Sequence, residues 1–281
     1  MPTTASDPRT VVAHARRGLL LVSCAGVVWG TIGPAVQLVH EGSGLSPWTI
    51  GAYRALAAVA ALVVASHVTG RLRACLALAR SRWRRVILTG LSTAAFQVLF
   101  FVAVVATVAT ALVGLGLVSV AGGAGAAAPN TALGVLAALG SGTAYAVSTQ
   151  VAAPLSREHD ALTVTTATMS VAAAALVPGG LGLAHLRGEA MATTDPGSWL
   201  LLGYLGVVTM AFAYVLLFAG LRSTPSGTAV VATLLEPVTA VLIAVLLLHE
   251  RPTAAVVVGA LLILAAIATL GRQVEKEPPP Q

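Results

Sequence analysis

Two ionisable residues stand inside stretches that are otherwise almost free of charge. Arg54 lies about two turns into an apolar run that begins at Pro47, and Glu236 about ten residues into one that begins at Ser226. At the centre of a bilayer such a charge costs roughly 2.5–3.5 kcal/mol on insertion scales, so it is kept for a partner, for water or for a ligand. A guanidinium facing a cavity attracts an anionic group, and a carboxylate there binds a cationic group or carries a proton. The plainer alternative has Arg54 snorkelling or satisfying backbone carbonyls, with Glu236 a structural partner near its helix start. Trp29, Thr31, Gln97, Tyr145, Gln150 and Tyr214 bring indole, hydroxyl and amide groups that can line the same cavity. Aromatic residues of this kind equally pack helices or anchor at the membrane interface.

Other chemistry finds little support. No HExxH, GxSxG, CxxC or P-loop pattern occurs, which weighs against an integral-membrane enzyme and against an ATP-driven engine in this chain. His14, His40, His67, His159 and His185 fall near span ends without forming a ligand cluster, and His249-Glu250 reads as a solvated helix end. Cys24 sits in an apolar span and Cys75 in an Arg-rich loop, at different depths, so neither a disulfide framework nor a metal spacing exists. No metal and no cofactor is expected.

The elements that must position Arg54 and Glu236 are membrane helices. Between Arg85 and Arg157 about seventy residues pass without Asp, Glu, Lys, Arg or His, several times the length of one bilayer crossing. The composition is 57% hydrophobic and 9% charged with mean hydropathy +0.90, too little polar surface to coat a globule. Nothing alternates with the period of a barrel strand, and a lipid-embedded backbone must satisfy its own hydrogen bonds, so the spans are α-helices. Net charge +6 does not mean nucleic acid here. Six arginines (Arg71, Arg73, Arg80, Arg82, Arg84, Arg85) share one short segment between apolar spans, which marks a cytoplasmic loop. That segment reads equally as a short interfacial helix or a solvated loop.

The expected spans are Gly18 to Val39, Pro47 to Val68, Thr131 to Pro154, Ala161 to Ala184, Trp199 to Leu221, Ser226 to Leu248 and Ala254 to Leu270, with the long charge-free stretch supplying the rest. Arg16-Arg17 and Leu21-Val22-Ser23-Cys24 resemble a lipoprotein cleavage box, but the apolar run continues to Val39 and reads as a first membrane helix. Gly26 and Gly30 form a GxxxG pattern, followed by Gly33-Pro34, which predicts close helix packing with a bend; Pro237 predicts another bend. The many Ala, Gly and Arg residues beside the lone Lys276 point to a bacterium with a GC-rich genome, hence a bacterial cytoplasmic membrane.

Laid side by side, the two halves match at a nearly constant offset. Trp29-Gly30 falls opposite Tyr145-Ala146, Leu88-Thr89-Gly90-Leu91 opposite Leu202-Gly203-Tyr204-Leu205, Phe101 opposite Phe218, and Thr110-Ala111-Leu112-Val113 opposite Thr228-Ala229-Val230-Val231. Repeated membrane halves are a transporter signature. Together with Trp29-Gly30, Ser46-Pro47 leading to Tyr53-Arg54, Leu235-Glu236-Pro237, His249-Glu250-Arg251-Pro252 and Gly259, they make the chain resemble the EamA family of the drug/metabolite transporter superfamily. The resemblance implies a secondary transporter with two inverted five-helix repeats. It would move small metabolites or drug-like solutes, as an exporter, by alternating access, with proton coupling open. A partner other than lipid and solute is not implied.

One departure stands out. Thr228 to Gly271 supplies two full helices in the second half, whereas Thr110 to Gly122 supplies only about a dozen residues in the first. The expectation is therefore an all-α polytopic bundle of about nine transmembrane helices where the family has ten. A cytoplasmic tail would cover 1–17, a shortened first repeat 18–128, a second repeat 129–271 and a disordered tail 272–281. The deletion also raises a transport-inactive or structural membrane protein as an alternative. It poses a parity problem too, since Val86 to Ala128 reaches roughly 60 Å at 1.5 Å per residue, enough for two crossings of a 30 Å core, and two would invert the second half. Keeping the family's orientation needs one net crossing there. The six-arginine segment predicts that a cysteine at Ser81 is labelled by an impermeant thiol reagent only after cells are opened; labelling in intact cells would reverse the assignment.

Overall fold

The structure, a computed structural model, describes residues 8–100, 102, 131–247 and 254–276; within them every element is helical and no strand occurs. Helix α1 (Pro8–Trp29) breaks at Gly30-Thr31 and continues as α2 (Ile32–Ser43). Then follow α3 (Pro47–Val68), the short α4 (Leu72–Ser81), α5 (83–100), α6 (Thr131–Glu158) and α7 (Ala161–Leu186). The next rod is α8 (Pro196–Gly206), a π-helical stretch Val207–Phe212 and α9 (Ala213–Gly220). Helices α10 (Ser226–Ala232) and α11 (Leu235–Leu247) form another broken rod, and α12 (Ala254–Lys276) is the last. Joined across their breaks, the described residues make nine helical rods, five of which are long and apolar enough to cross a membrane. The chain is thus a helical multi-pass membrane protein. The stretch expected to hold the shortened part of the first half, 103–130, lies outside the described residues, as does His249-Glu250.

The two breaks have one cause. Proline carries no amide hydrogen and its ring crowds the carbonyl four residues back. Pro34 acts in this way on Gly30 and Pro237 on Thr233, and those are the positions where α1–α2 and α10–α11 bend. At each break a threonine hydroxyl donates to the carbonyl three residues upstream, Thr31 Oγ1 to Val28 at 2.7 Å and Thr233 Oγ1 to Val230 at 2.8 Å. Tight backbone bonds accompany them, the Thr31 amide donating to the Val28 carbonyl at 3.2 Å and the Glu236 amide to the Thr233 carbonyl at 3.0 Å, so the broken turns keep backbone groups bonded, which a bilayer demands. The expected GxxxG packing is also present. A β-carbon on Gly26 would lie 3.0 Å from the Thr233 carbonyl, and one on Gly30 would lie 2.7 Å from the Glu236 carbonyl, so the α1 break crosses the α10–α11 break at backbone contact. Gly33, in contrast, faces open space and packs against nothing within 4 Å.

Capping fixes the remaining ends. Ser46 caps α3 ahead of Pro47, Asp195 caps α8 through the Ser198 amide at 2.6 Å, and Asp160 caps α7 through the Thr163 amide at 3.0 Å. The Arg-rich segment folds as helix α4, with Cys75 and Leu78 buried and its arginines on the outer face, which settles the choice between helix and loop. Helix α1 begins at Pro8, inside the stretch expected as a tail, and α12 continues through Arg272–Lys276, since no proline interrupts it before Pro278.

Parity is resolved at the Arg-rich end. Arg71 bonds Asp160, Arg82 bonds Glu158 at 2.8 Å, Arg222 donates to the His159 carbonyl at 3.3 Å, and Ser223 donates to the His14 carbonyl at 2.9 Å. The start of α1, helix α4 and the α6–α7 and α9–α10 connections therefore share one end. Helix α5 leaves that end and α6 returns to it antiparallel, with Thr93 on Ser148 at 2.8 Å and the Phe96 carbonyl on Ser141 at 3.1 Å. Helix α5 thus supplies the one net crossing between α4 and the start of α6.

The Gly26/Gly30 crossing leads to a contrast between two nearby glycines. Gly30→Leu is expected to destabilise the detergent-solubilised protein by about 1–3 kcal/mol through overpacking against the Glu236 backbone. Gly33→Leu should change stability by no more than about 0.5 kcal/mol. Thermal melts of the two variants beside the parent check both.

Candidate functional site

The elbow where α1–α2 meets α10–α11 lies against an aromatic cluster. Trp29, 3% exposed, packs edge-on to Tyr145 with ring centroids 5.8 Å apart and tilts against Tyr214 at 5.2 Å. Phe96 stacks on Tyr145 at 5.3 Å, and Tyr214 meets Phe218 at 6.0 Å. Trp29 and Tyr145, opposite each other in the aligned halves, thus touch at the centre. The offset that pairs Phe101 with Phe218 also pairs Gln97 with Tyr214, and both of these are in the same cluster.

Trp29 is held by a second-helix irregularity. Its indole Nε1–H donates to the carbonyl of Thr209 at 2.8 Å, within the π-helical stretch Val207–Phe212. A π turn shifts the carbonyl register and leaves such an oxygen able to accept from outside the helix. Just before it, Gly206 rests on α3, where a β-carbon would stand 2.7 Å from the Arg54 carbonyl. The backbone of Arg54 is therefore clamped between α8 and its own helix.

Arg54 is only 2% exposed, and its Nε and Nη1 have no hydrogen-bond partner. Gln97 Nε2, Tyr145 Oη and Tyr214 Oη are buried too and make no bond of good geometry, although Gln97 lies beside the Tyr214 hydroxyl and Thr149 and Thr233 beside that of Tyr145. Each buried donor left open costs about 1–3 kcal/mol, more when charged, so the two open guanidinium nitrogens are costly for the fold alone. Arg54 and Gln97 line a cavity of about 230 Å³ whose other walls come from α3, α7 and Met210. The cavity extends from Arg54 toward Pro47 and Leu183, at the end of the bundle away from the arginines of α4. On the other side of Arg54 and Gln97 a narrower space is bordered by Trp29, Phe96, Phe100 and Glu236. Glu236 is partly buried, and no ion pair joins it to Arg54.

Of the residues singled out from sequence, Arg54, Glu236, Trp29, Gln97, Tyr145 and Tyr214 are brought together. Thr31 belongs to the α1–α2 break, where its hydroxyl meets Tyr204 Oη at 2.7 Å. Gln150 is exposed near the Arg-rich end and accepts from Ser226 Oγ at 2.5 Å, apart from the cluster. It sits on α6 less than two turns beyond Tyr145, and that is enough helix to carry it out of the central layer. The sequence reading missed the Thr209 carbonyl, Gly206, and the cavity walls at Trp48 and Gly179-Gly180. Glycines inside apolar runs were the available signal for two of these four places.

Fold and site define a class: a helical membrane protein with a largely apolar cavity that ends at a buried arginine and glutamine. Residues 132–272 match the EamA-like transporter family, and the chain belongs to that family, one of transporters and not enzymes. No curated protein matches the sequence. A solved structure titled "Crystal structure of protein" superposes with a TM-score of 0.67 at 18% identity, over 92% of this chain and 99% of that one; at this identity the likeness speaks for the fold alone.

The closed end has its own pH dependence. Partial burial pushes the Asp160 carboxyl up, but the Thr163 hydroxyl and amide and the Arg71 guanidinium outweigh it and hold the group below its ordinary 3.8. A depressed folded-state value means that this contribution is fully present above the unfolded value and is lost as pH falls through the folded one. Asp160→Asn keeps a capping side chain and removes the charge. Below about pH 4 the melting temperature of the parent should fall more steeply than that of Asp160→Asn, and parallel profiles would contradict the assignment.

Proposed function

We propose that the chain is a secondary carrier that moves small solutes through one central site between its halves, with residues 18–128 and 129–271 as the two units that rock against each other. The single observation that supports this most is the Arg54 guanidinium, buried with its Nε and Nη1 open at the inner end of a cavity beside the buried amide of Gln97. A structural arginine in this position would be paired, because an uncompensated buried charge is strongly destabilising. A substrate site must instead leave its polar groups free for the solute.

The arrangement fits one state of alternating access. The Arg-rich end is shut by the Arg71–Asp160 and Arg82–Glu158 contacts, while the cavity extends toward the other end. With the arginines placed in the cytoplasm of a bacterial cell, this is the outward-facing arrangement. The proline-broken rods that cross beside the site are the elements able to bend during closure, as broken helices do at the binding sites of other transporters. Glu236, across Arg54 from the main cavity, is the group we assign to carrying a proton, so that flux answers to a pH gradient.

Counterflow in liposomes with a mixed panel of labelled organic acids, amines and neutral solutes tests this reading. Arg54→Gln is expected to lower uptake of the accepted solute about 10- to 150-fold, the loss of a charge-assisted bond of about 1.5–3 kcal/mol. Glu236→Gln should abolish uptake driven by a pH gradient and retain solute exchange. If both variants behave like the parent, the site lies elsewhere.

A further inference from the structure

The cavity of about 230 Å³ is strongly asymmetric in chemistry. Its mouth and middle are formed by Pro47, Trp48, Ala175, Leu176 and Leu183, and polar side chains enter only at Arg54 and Gln97. Among the described residues that line it, Arg54 is the one ionisable group and no carboxylate occurs. Glu236 stands in the narrower space on the far side of Arg54 and Gln97. A solute entering from the mouth therefore passes apolar walls and ends at a positive, donor-rich floor.

Two adjacent glycines separate packing from space. Gly180 has no side chain because α7 lies on α3 there, a β-carbon being 2.6 Å from the Trp48 carbonyl and 3.1 Å from the Ala52 side chain. Gly179, exposed and also lining the cavity, meets no described residue within 4 Å. Helix contact does not require a glycine at 179. What its missing side chain provides is room, at an apolar position between the mouth and Arg54.

We propose that the solute accepted here is a small organic monoanion with an apolar body, its carboxylate on Arg54 and Gln97 and its body in the space beside Gly179 between α3 and α7. This rests on the carrier reading above and specifies its substrate class. The carboxylate would take up the open Nε and Nη1 of Arg54 with the Gln97 amide beside them, and a planar guanidinium suits a carboxylate in two-point contact. A single negative charge balances the one guanidinium, whereas a dianion would leave a buried charge uncompensated. A cation would meet repulsion at the floor, and a neutral solute would leave the guanidinium unneutralised. The volume is below the roughly 300–1,000 Å³ of pockets that enclose drug-sized ligands, so the body is short.

Calorimetric titration of the full chain in nanodiscs with four probes tests the proposal: phenylacetate, acetate, 2-phenylethanol and phenethylamine. Phenylacetate should bind at least tenfold more tightly than each of the other three. Arg54→Gln should remove its advantage over 2-phenylethanol, and Gly179→Leu should weaken phenylacetate at least tenfold while leaving acetate unchanged. Should Arg54→Gln fail to fold, Gly179→Leu carries the test, since its side chain is added into open space. Equal binding of the alcohol or the amine, or a Gly179→Leu variant that binds phenylacetate like the parent, overturns the proposal. Counterflow in liposomes separates this failure from failure of the carrier reading. Uptake of phenethylamine that Arg54→Gln abolishes would sustain the carrier and refute the anion. Binding in the expected order with no exchange of any solute would sustain the anion site and refute the carrier.

Discussion

Everything in the chamber depends on the contact between two broken helices, Gly26 and Gly30 of α1 against Thr233 and Glu236 at the α10–α11 elbow. Between helices in lipid there is no hydrophobic drive to associate, so close packing and hydrogen bonding must hold them. Small residues give the packing, because any side chain at Gly30 would occupy the Glu236 backbone. The same crossing fixes depth. Once Gly30 is against Glu236, Trp29 meets the Thr209 carbonyl and the Tyr214 ring of the α8–α9 rod and the Tyr145 ring of α6. A bend alone would be costly in a bilayer, since each broken turn opens backbone groups to hydrocarbon. Thr31 and Thr233 offset that cost at equivalent places in the two rods.

How far this was legible in the sequence follows from what kind of information each feature needs. The charge-free stretches, the bends at Pro34 and Pro237 and the anomaly of Arg54 and Glu236 are local, and each follows from residue type and distance along the chain. The meeting of Trp29 with Tyr145 is different in kind. The sequence set the two opposite each other in the aligned halves and among the residues able to line one cavity, but their contact needs the packing of α1 on α6 and α9. Gln150 shows the limit, for a polar residue on an apolar helix has no label stating whether it faces a chamber or an interface, and here it caps a contact with Ser226 near the Arg-rich end. The π-helical stretch had no signal of its own in VVTMAF, an apolar run like many others. Its register is set by tertiary contact, with Gly206 pressed on α3 before it and Trp29 bonded within it.

The glycines divide along the same line. A sequence pattern such as GxxxG marks a helix face fit for close approach, and Gly26 and Gly30 are used in that way. The same reading applied to Gly33 finds open space, and neighbours Gly179 and Gly180 split between a void and a contact. Periodicity gives the face of a helix, yet only the neighbour decides whether that face is packed.

Arg54 is the place where these constraints combine. Its backbone cannot retreat, because Gly206 holds α8 against its carbonyl, and its side chain cannot reach bulk water, because it is 2% exposed. The nearest countercharge, Glu236, is fixed from behind by the Gly30 crossing and makes no ion pair with it. A chain under selection for stability alone would close that gap or replace both residues with well-packed apolar ones, which is often neutral or favourable. Holding the two charges apart on separate rigid contacts keeps the guanidinium open toward the cavity. On the proposal above, stability forgone at Arg54 is recovered when an anionic solute reaches it from the cavity.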